Sequence, residues 1–115
     1  HCAGDEVIRS MSDILRKTLR ETDIAGRFGG EEFCIILVDT DAKGAFTFTE
    51  RLRRIVEKKT VAYNDHTINY TISLGISEIN GSITDHKIWV EQADKALYEA
   101  KRGGRNRSMV FQVKT

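Results

Sequence analysis

The sequence predicts an α+β sandwich in which helices pack against a mixed β-sheet. Three segments repeat apolar residues at three- and four-residue spacing, as amphipathic helices do. Between them lie short segments rich in β-branched and aromatic residues, which is typical of strands. The resulting order is helix, strand, strand, helix, strand, strand, helix, strand. A chain of 115 residues that is 40% hydrophobic and 30% charged suits one globular domain of this class.

The first half of the chain is predicted to hold one helix and one hairpin. The helix runs from Asp5 to Leu19, with Asp5 at its N-terminus. Asp23 to Phe28 is a short strand, and Gly29-Gly30 supplies the turn after it. Phe33 to Val38 is apolar at every position, which predicts a strand buried on both faces. The hairpin is therefore expected to have a buried second arm.

The second half begins with a helix that Asp41 caps and that ends near residues 58 and 59. Residues 60–63 and the alternating stretch Ile68 to Ile76 are predicted to form a second hairpin, with Asn, Asp and His in its turn. A last helix runs from about Asp85 to Lys101. Gly-Gly ends it before a final strand, residues 108–113.

Composition excludes several classes of partner. Eighteen Lys and Arg balance seventeen Asp and Glu, and the net charge of +1 predicts binding to neither nucleic acid nor a membrane. Cys2 and Cys34 show no zinc or disulfide spacing, which predicts a reducing, cytoplasmic compartment. The chain opens at His1 without Met. It is therefore interpreted as a piece of a longer protein, whose other regions leave a membrane anchor open.

The segment Arg27 to Phe33 carries the sharpest chemical signal. Gly29 and Gly30 let a ligand approach the backbone, and the adjacent carboxylates of Glu31 and Glu32 are hard oxygen ligands for Mg²⁺ beside phosphates. This combination points to nucleotidyl transfer. An ordinary Gly-Gly hairpin with solvated glutamates explains the spacing equally well.

Four segments together resemble a known family. Gly29 to Phe33 is the GGEEF form of the GGDEF signature of diguanylate cyclases. Gly4-Asp5 resembles the GD that follows the family's YGH segment, and residues 71–76 resemble its TxSxGI strand. Residues 93–106 resemble its ADxALYxAK…GRN ending. Residues 1–115 thus resemble one partial GGDEF domain, its C-terminal two thirds.

The resemblance implies a fold similar to a nucleotidyl cyclase or polymerase palm, a mixed sheet flanked by helices, here without its N-terminal strand and first helix. It implies an enzyme that condenses two GTP into cyclic di-GMP with Mg²⁺ or Mn²⁺ as cofactor. Two GGDEF domains of a homodimer would meet face to face, each with one GTP. Each 3′-hydroxyl would then attack the other's α-phosphate and expel pyrophosphate. An upstream sensory or receiver domain is also expected.

The resemblance also assigns roles to residues of the active site. Glu31 is expected to be a catalytic metal ligand, and Glu32 a second ligand or an activator of the hydroxyl. Gly29 and Gly30 would let the nucleotide pass close to the backbone. Asp5 would accept hydrogen bonds from the guanine edge, although a plain helix N-cap explains it as well.

Two further groups of basic residues acquire roles in the same way. Lys101 and Arg105 would bind the triphosphate, whereas without the resemblance a helix C-terminus alone favours cations there. Arg20 and Asp23 stand at the RxxD spacing of the family's inhibitory site and would bind cyclic di-GMP. An i to i+3 ion pair is the simpler explanation. Arg51 is expected to complete that site from a neighbouring domain.

One departure from the family pattern limits the prediction. The family's opening strand, DxDxFKxxND, supplies a metal-binding Asp and a guanine-binding Asn, and neither occurs in this chain. The 115 residues alone are therefore expected to be inactive. Two alternatives stay open for the protein: a catalytically inactive receptor for cyclic di-GMP, and a GTP-binding regulatory domain.

Overall fold

The computed structural model describes residues 2–79 and 85–112. Their helices and strands alternate as the sequence predicts, with one additional strand. In chain order the elements are α1 (Ala3–Thr18), β1 (Ile24–Arg27), β2 (Phe33–Ile36), α2 (Ala42–Lys58), β3 (Val61–Tyr63), β4 (His66–Ile68), β5 (Leu74–Ile76), α3 (His86–Arg102) and β6 (Ser108–Val110). The predicted α+β class is confirmed.

The described strands pair two by two. β1 and β2 are antiparallel, with Ile24 opposite Ile36 and Arg27 opposite Phe33. β3 and β4 form a second antiparallel pair, and β5 runs parallel to β6 with Gly75 opposite Met109. A parallel pair needs a crossover connection, and α3 provides it.

The core lies where α1 packs against α2. Met11, Ile14 and Leu15 of α1 meet Leu52 and Val56 of α2, and the last two are 1% and 0% exposed. These residues are the apolar stripes that the sequence periodicity identifies on the two helices. Partly buried side chains from the strands pack around this cluster. This packing fixes the strands, and the loops between them, relative to the two helices.

Helix boundaries agree with the sequence to within two residues. α1 begins at Ala3, so Asp5 is its third residue rather than its first, and the Asp5 carboxylate accepts a hydrogen bond from the Cys2 amide at 3.1 Å. Asp41 caps α2 as predicted, accepting from the Gly44 amide at 2.8 Å. Asp85 caps α3 in the same way through the Lys87 amide.

The long second arm predicted for the second hairpin is wrong. Residues 66–68 pair with β3, whereas residues 74–76 pair with β6, so the chain leaves one sheet and enters another. Tyr70 and Ile72, in the stretch between, turn towards the helical core, where the Tyr70 hydroxyl shares a hydrogen bond with Ser10 at 3.1 Å. Alternating apolar residues cannot distinguish one long strand from two short ones joined by a packed connection.

The buried second arm predicted for the first hairpin is also wrong. β2 is only partly buried, with Cys34 exposed, and all four residues of β1 are exposed. Ile24 is 61% exposed. Within residues 2–79 and 85–112, β2 pairs with β1 alone, so its other edge has no strand beside it. The apolar run is therefore more exposed than its composition suggests.

α3 lies against β5 with almost no space between them. A Cβ added to Gly75 would stand 2.1 Å from the Ala93 carbonyl oxygen and 2.3 Å from the Leu97 amide nitrogen. The Trp89 indole donates to the carbonyl of Ser77, the residue that follows β5, at 2.8 Å and holds the first turn of the helix there. β6 ends at Val110, where its partner β5 ends at Ile76, so the predicted continuation of the strand through residues 111 and 112 is wrong, and the last predicted residue, Val113, lies outside the described residues.

Candidate nucleotide-binding site

Backbone hydrogen bonds fix the shape of the turn between β1 and β2. The Phe28 amide donates to the Glu32 carbonyl at 2.8 Å, and the Glu32 amide donates to the Gly29 carbonyl at 2.9 Å. Gly29 and Gly30 have φ angles of 101° and 48°. Residues with a Cβ avoid such angles, so the two glycines determine the shape of the turn.

The charged side chains of this hairpin are arranged around the turn. Arg27 reaches along it and donates from Nε to the Gly30 carbonyl at 2.8 Å. Glu31 and Glu32 are exposed, as are the two glycines. The turn therefore presents two carboxylates and an accessible backbone to solvent, which is the arrangement that the sequence motif indicates.

The carboxylates at this turn suit a divalent cation that is shared with phosphates. Mg²⁺ is commonly held by one or two carboxylates together with phosphate oxygens and water. Glu31 and Glu32 can supply those carboxylates. Among the described residues, no group of three or more His, Cys, Asp or Glu side chains could hold a metal by itself. The donor set therefore fits Mg²⁺ only together with further ligands.

Asp5 lies at the end of α1 and is exposed. The hydrogen bond from the Cys2 amide, together with the positive charge of Arg27, lowers the pKa of the Asp5 carboxyl. The carboxylate thus caps the helix in the absence of ligand.

A cavity of about 380 Å³ lies between α1 and the hairpin. Ile8, Leu15 and Leu19 line it from the helix, and Arg27 and Phe33 line it from the strands. Its volume falls within the roughly 300–1,000 Å³ of small-molecule sites. It separates the two elements that carry Asp5 and the Gly-Gly turn.

Lys101 and Arg105 lie at the C-terminal end of α3, and both side chains are exposed. The Arg105 amide donates to the Ala100 carbonyl at 3.0 Å, which closes the helix end. Among the described residues, no hydrogen bond or ion pair joins either side chain to the Gly29-Gly30 turn. The structure thus leaves both cations accessible without bringing them into contact with the carboxylates.

Arg20 and Asp23 form a closed pair just before β1. Arg20 donates from Nε and Nη2 to the two Asp23 oxygens at 3.1 and 3.0 Å. Nη2 also donates to the Val38 carbonyl at 2.8 Å and to the Thr40 hydroxyl at 3.0 Å. The Asp23 carboxylate accepts two more bonds, from the amides of Arg20 and Val38. This is the ion pair that the simpler explanation of the RxxD spacing predicts.

The two partners of this pair differ in exposure. The Asp23 side chain is 2% exposed, whereas the Arg20 side chain is 57% exposed. The hydrogen bonds from the Arg20 side chain outweigh desolvation and lower the pKa of Asp23, and the same bonds raise the pKa of Arg20. Asp23 therefore stays ionised and anchors Arg20, whose outer edge faces solvent.

A smaller cavity, about 190 Å³, brings Arg20 and Asp23 together with Arg51 of α2. The Arg51 guanidinium stands 5.6 Å from the centre of the Phe48 ring, one turn earlier on the helix. Within one chain the structure thus gathers the three residues assigned to the inhibitory site. The Thr40 and Phe48 contributions were not predicted, although the i to i+3 spacing of Phe48 and Arg51 on a helix could have indicated the stacking.

A sequence model of the family described as diguanylate cyclase, GGDEF domain, matches residues 1–107. The chain belongs to the GGDEF family. The family resemblance is thereby confirmed.

Curated relatives of this GGDEF chain include a diguanylate cyclase and a response regulator. It is 46% identical over 107 residues to diguanylate cyclase A of Treponema denticola, which covers 93% of the chain and 29% of that protein. It is 38% identical over 108 residues to the response regulator PleD of Caulobacter vibrioides, covering 92% of the chain and 24% of that protein. The chain thus spans less than a third of the length of these relatives.

Solved GGDEF structures have the same fold. The active GGEEF domain of a diguanylate cyclase from Vibrio cholerae matches with a TM-score of 0.87 at 30% identity, covering 99% of this chain and 72% of that one. The GGDEF domain of DgcB from Caulobacter crescentus, in complex with c-di-GMP, matches with a TM-score of 0.89 at 32% identity, covering 98% and 67%. The palm-like α+β fold is therefore confirmed.

None of the helices in residues 2–79 and 85–112 is long and apolar enough to cross a membrane. The expected cytoplasmic location stays a prediction.

Proposed function

We propose that this GGDEF domain is the catalytic domain of a diguanylate cyclase, which condenses two GTP into cyclic di-GMP and two pyrophosphates. The observation that carries the proposal is the open Gly29-Gly30 turn with Glu31 and Glu32 exposed beside it. Glycines at φ angles of 101° and 48° keep the turn free of side chains, and the two exposed carboxylates beside it can take up a cation. The cyclase names of its relatives agree with this assignment.

The reaction consists of two equivalent phosphoryl transfers. In each, the 3′-oxygen of one GTP bonds to the α-phosphorus of the other, and the bond from that phosphorus to pyrophosphate breaks. The hydroxyl proton leaves to a base or to water, and the electron pair leaves with pyrophosphate. Because each nucleotide is both attacker and target, two domains must face one another, so the working unit is a dimer of this domain.

The turn residues would act on the phosphates. A divalent cation, when bound, neutralises phosphate charge and polarises the α-phosphorus. Glu31 would hold that cation, and Glu32 would assist as a second ligand or accept the proton of the attacking hydroxyl. Gly29 and Gly30 leave the backbone free of side chains, so the phosphates can lie directly against it. Arg27 supports the turn by holding the Gly30 carbonyl.

The remaining residues would orient the nucleotide. The Asp5 carboxylate can accept from the N1-H and the 2-amino group of guanine, which adenine cannot match. To do so it must share or release the Cys2 amide that it binds without ligand. Lys101 and Arg105, both exposed, would pair with the triphosphate. The cavity between α1 and the hairpin has space for part of the base.

Product binding is the second proposed activity, and one specific observation favours it. Arg20, Asp23 and Arg51 line one cavity on the far side of the hairpin from the turn. Two arginines beside a carboxylate can bind guanine edges and phosphates of cyclic di-GMP. Binding there would make the cyclase subject to inhibition by its own product. The same cavity without catalysis would make the protein a receptor, and a GTP-binding regulatory role is the remaining alternative.

Regulation by other domains follows from the length of the relatives. The chain covers only 24% of a response regulator and 29% of a curated cyclase, so a sensory or receiver domain would set the distance between two cyclase domains. A matching structure, described as SiaD in complex with its activator SiaC, indicates that another relative is controlled by a separate protein. Because GTP is its substrate, we place the domain in the cytoplasm.

The decisive experiment uses the full-length protein with GTP and Mg²⁺, and follows cyclic di-GMP and pyrophosphate by chromatography. Replacing Mg²⁺ with Mn²⁺ identifies the preferred cofactor. Glu31→Gln keeps the size of the side chain but removes its charge, and product should fall by roughly two to three orders of magnitude. If the wild-type protein forms no product yet binds cyclic di-GMP, and Arg20→Ala abolishes that binding, the protein is a receptor.

A further inference from the structure

The loop that follows α3 adopts an unfavourable backbone conformation. Gly104, Arg105 and Asn106 have φ angles of 119°, 63° and 47° in succession. Glycine adopts such angles freely and asparagine tolerates them, but an arginine there is disfavoured by its Cβ. A conformation of this kind persists only where surrounding contacts impose it.

The Arg105 backbone is bonded locally, its amide to the Ala100 carbonyl and its carbonyl to Arg107 Nε, both at 3.0 Å, and contacts from α2 fix the next residue, Asn106. Arg53 donates from Nη1 to the Asn106 side-chain oxygen at 3.1 Å, and the Asn106 side-chain nitrogen donates to the Glu57 carboxylate. The Asn106 amide donates to the Ser73 hydroxyl at 3.1 Å. Three of its polar groups are therefore fixed, directly after Arg105.

Arg53 is itself held rigidly. Its Nε and Nη2 donate to the two oxygens of Glu50, both at 3.0 Å, and its side chain is only 15% exposed. Glu50 also accepts from the Ser108 amide at 3.1 Å, so the pair holds the chain on both sides of residue 107. A bidentate pair of this kind fixes orientation as well as distance.

We infer that Arg53 is a positioning residue for the cyclase reaction: through Asn106 it holds the backbone of Arg105 so that the exposed Arg105 side chain meets the triphosphate of GTP. This inference rests on the proposed function. It separates Arg53 from Arg51, two residues earlier on α2, which faces the smaller cavity. The two arginines lie on different sides of the helix and serve different sites.

The test measures the full-length protein, with KM and kcat for GTP and the Kd of a non-hydrolysable GTP analogue. Arg53→Ala should raise both KM and Kd roughly tenfold, since a displaced guanidinium loses one charged hydrogen bond to phosphate. Arg54→Ala removes an exposed neighbour on the same helix and should change neither value.

A double substitution distinguishes positioning from a general loss of structure. If Arg53 acts through Arg105, then Arg53→Ala should cost nothing further in a protein that already carries Arg105→Ala. Equal losses in both backgrounds would overturn the inference while leaving the cyclase assignment intact. An Arg105→Ala protein with unchanged KM and Kd overturns the phosphate role of Arg105 and the inference with it. A wild-type protein that neither binds the analogue nor forms product overturns the proposed function.

A milder variant keeps the test valid if Arg53→Ala fails to fold. Asn106→Gly removes the side chain to which Arg53 donates its hydrogen bond. Glycine adopts the φ of 47° without cost. The fold should therefore survive, as thermal unfolding would verify, while KM and Kd rise as in Arg53→Ala. A folded Asn106→Gly protein with wild-type KM and Kd would contradict the inference.

Discussion

The Gly-Gly turn and the Arg20–Asp23 pair lie at opposite ends of the same strand, β1, yet they hold their polar groups in opposite ways. At the turn, backbone hydrogen bonds fix the loop, and the carboxylates of Glu31 and Glu32 point to solvent. At the pair, the side chains are bound to each other and to the loop after β2. The carboxylates at the turn are open to a ligand, whereas the two side chains of the pair already bind each other.

This difference has an energetic consequence for the two proposed ligands. A cation and phosphates at the turn meet the exposed carboxylates of Glu31 and Glu32 directly. A cyclic dinucleotide beside Arg20 must use the guanidinium edge that remains, or replace bonds to Asp23, Val38 and Thr40. Reorganisation of this kind lowers affinity, but it also lets the pair favour a ligand that matches both partners.

The largest expected effect comes from breaking the turn. Gly29→Val places a β-branched residue at a φ of 101°, which it strongly disfavours, so the turn must change shape. Misplacing the carboxylates should reduce cyclase activity by roughly a hundredfold or more. The loop is exposed, and the cost to folding should stay near 1–2 kcal/mol. Cyclic di-GMP formation and thermal unfolding of the full-length protein measure both.

A glycine elsewhere in the hairpin provides the stability control. A Cβ on Gly26 of β1 would meet no atom within 4 Å, and its φ lies outside the left-handed region. Gly26→Ala should therefore leave the unfolding temperature unchanged. If Gly29→Val retained full activity, the dependence of the reaction on the turn geometry would be refuted.

The second effect separates the pair from the turn. Arg20→Ala removes the exposed half of the pair and should weaken cyclic di-GMP binding roughly 10- to 100-fold, because charged hydrogen bonds are lost. Initial cyclase rates, measured before product accumulates, should stay within twofold of wild type. Calorimetry gives the affinity, and Lys17→Ala, which removes an exposed charge from α1, is the matched control. A parallel loss of initial rate would show that the two regions are not independent.

The smallest effect concerns acid stability. The pKa of Asp23 is lowered in the folded protein, so its ionised form stabilises the fold above the ordinary Asp pKa of about 3.9 and this contribution disappears as pH falls through the lower folded-state pKa. Asp23→Asn should cost about 1–2 kcal/mol at pH 7, and this cost should shrink as pH falls below about 3.9 towards the lowered folded-state pKa. Denaturant unfolding across this range measures the difference.

An exposed ion pair on α1 is the comparison for that result. Asp13 binds Arg16 at 3.2 Å with its side chain 47% exposed, so Asp13→Asn should cost less than about 0.5 kcal/mol at any pH. Equal losses for Asp13→Asn and Asp23→Asn would contradict the idea that burial of Asp23 gives its pair a special strength.

The sequence predicted what depends on local patterns. Helix stripes such as Leu52 and Val56, the Asp41 cap and the glycine turn are each encoded within a few neighbouring residues, and the structure places them as expected. The strand boundaries around residues 69–73 were missed because they depend on which distant strand each segment meets. The exposure of Cys34 was missed for the same reason, since an apolar run does not reveal what covers it.

The same difference between local and distant contacts decides which residues of the candidate sites could be identified from the sequence. Gly29 and Glu31 could be identified from one short motif. The contact of Arg53 with Asn106 could not be identified in this way, because the two residues lie 53 positions apart and no motif contains both. The closed state of Arg20 was similarly hidden, since Val38 and Thr40 reach it only after the hairpin folds back.

Because Gly75 has no side chain, the backbone of α3 contacts β5 directly and is fixed at that point. Its backbone contacts run from Ala93, at the middle of the helix, to Leu97, one turn later, where no room remains for sliding. Lys101 is one turn beyond that point, about 6 Å at 1.5 Å per residue. With so short an arm, tilting the helix by a few degrees moves the Lys101 backbone by only about half an ångström. The backbone of Lys101 therefore keeps its position relative to β5 when the helix tilts.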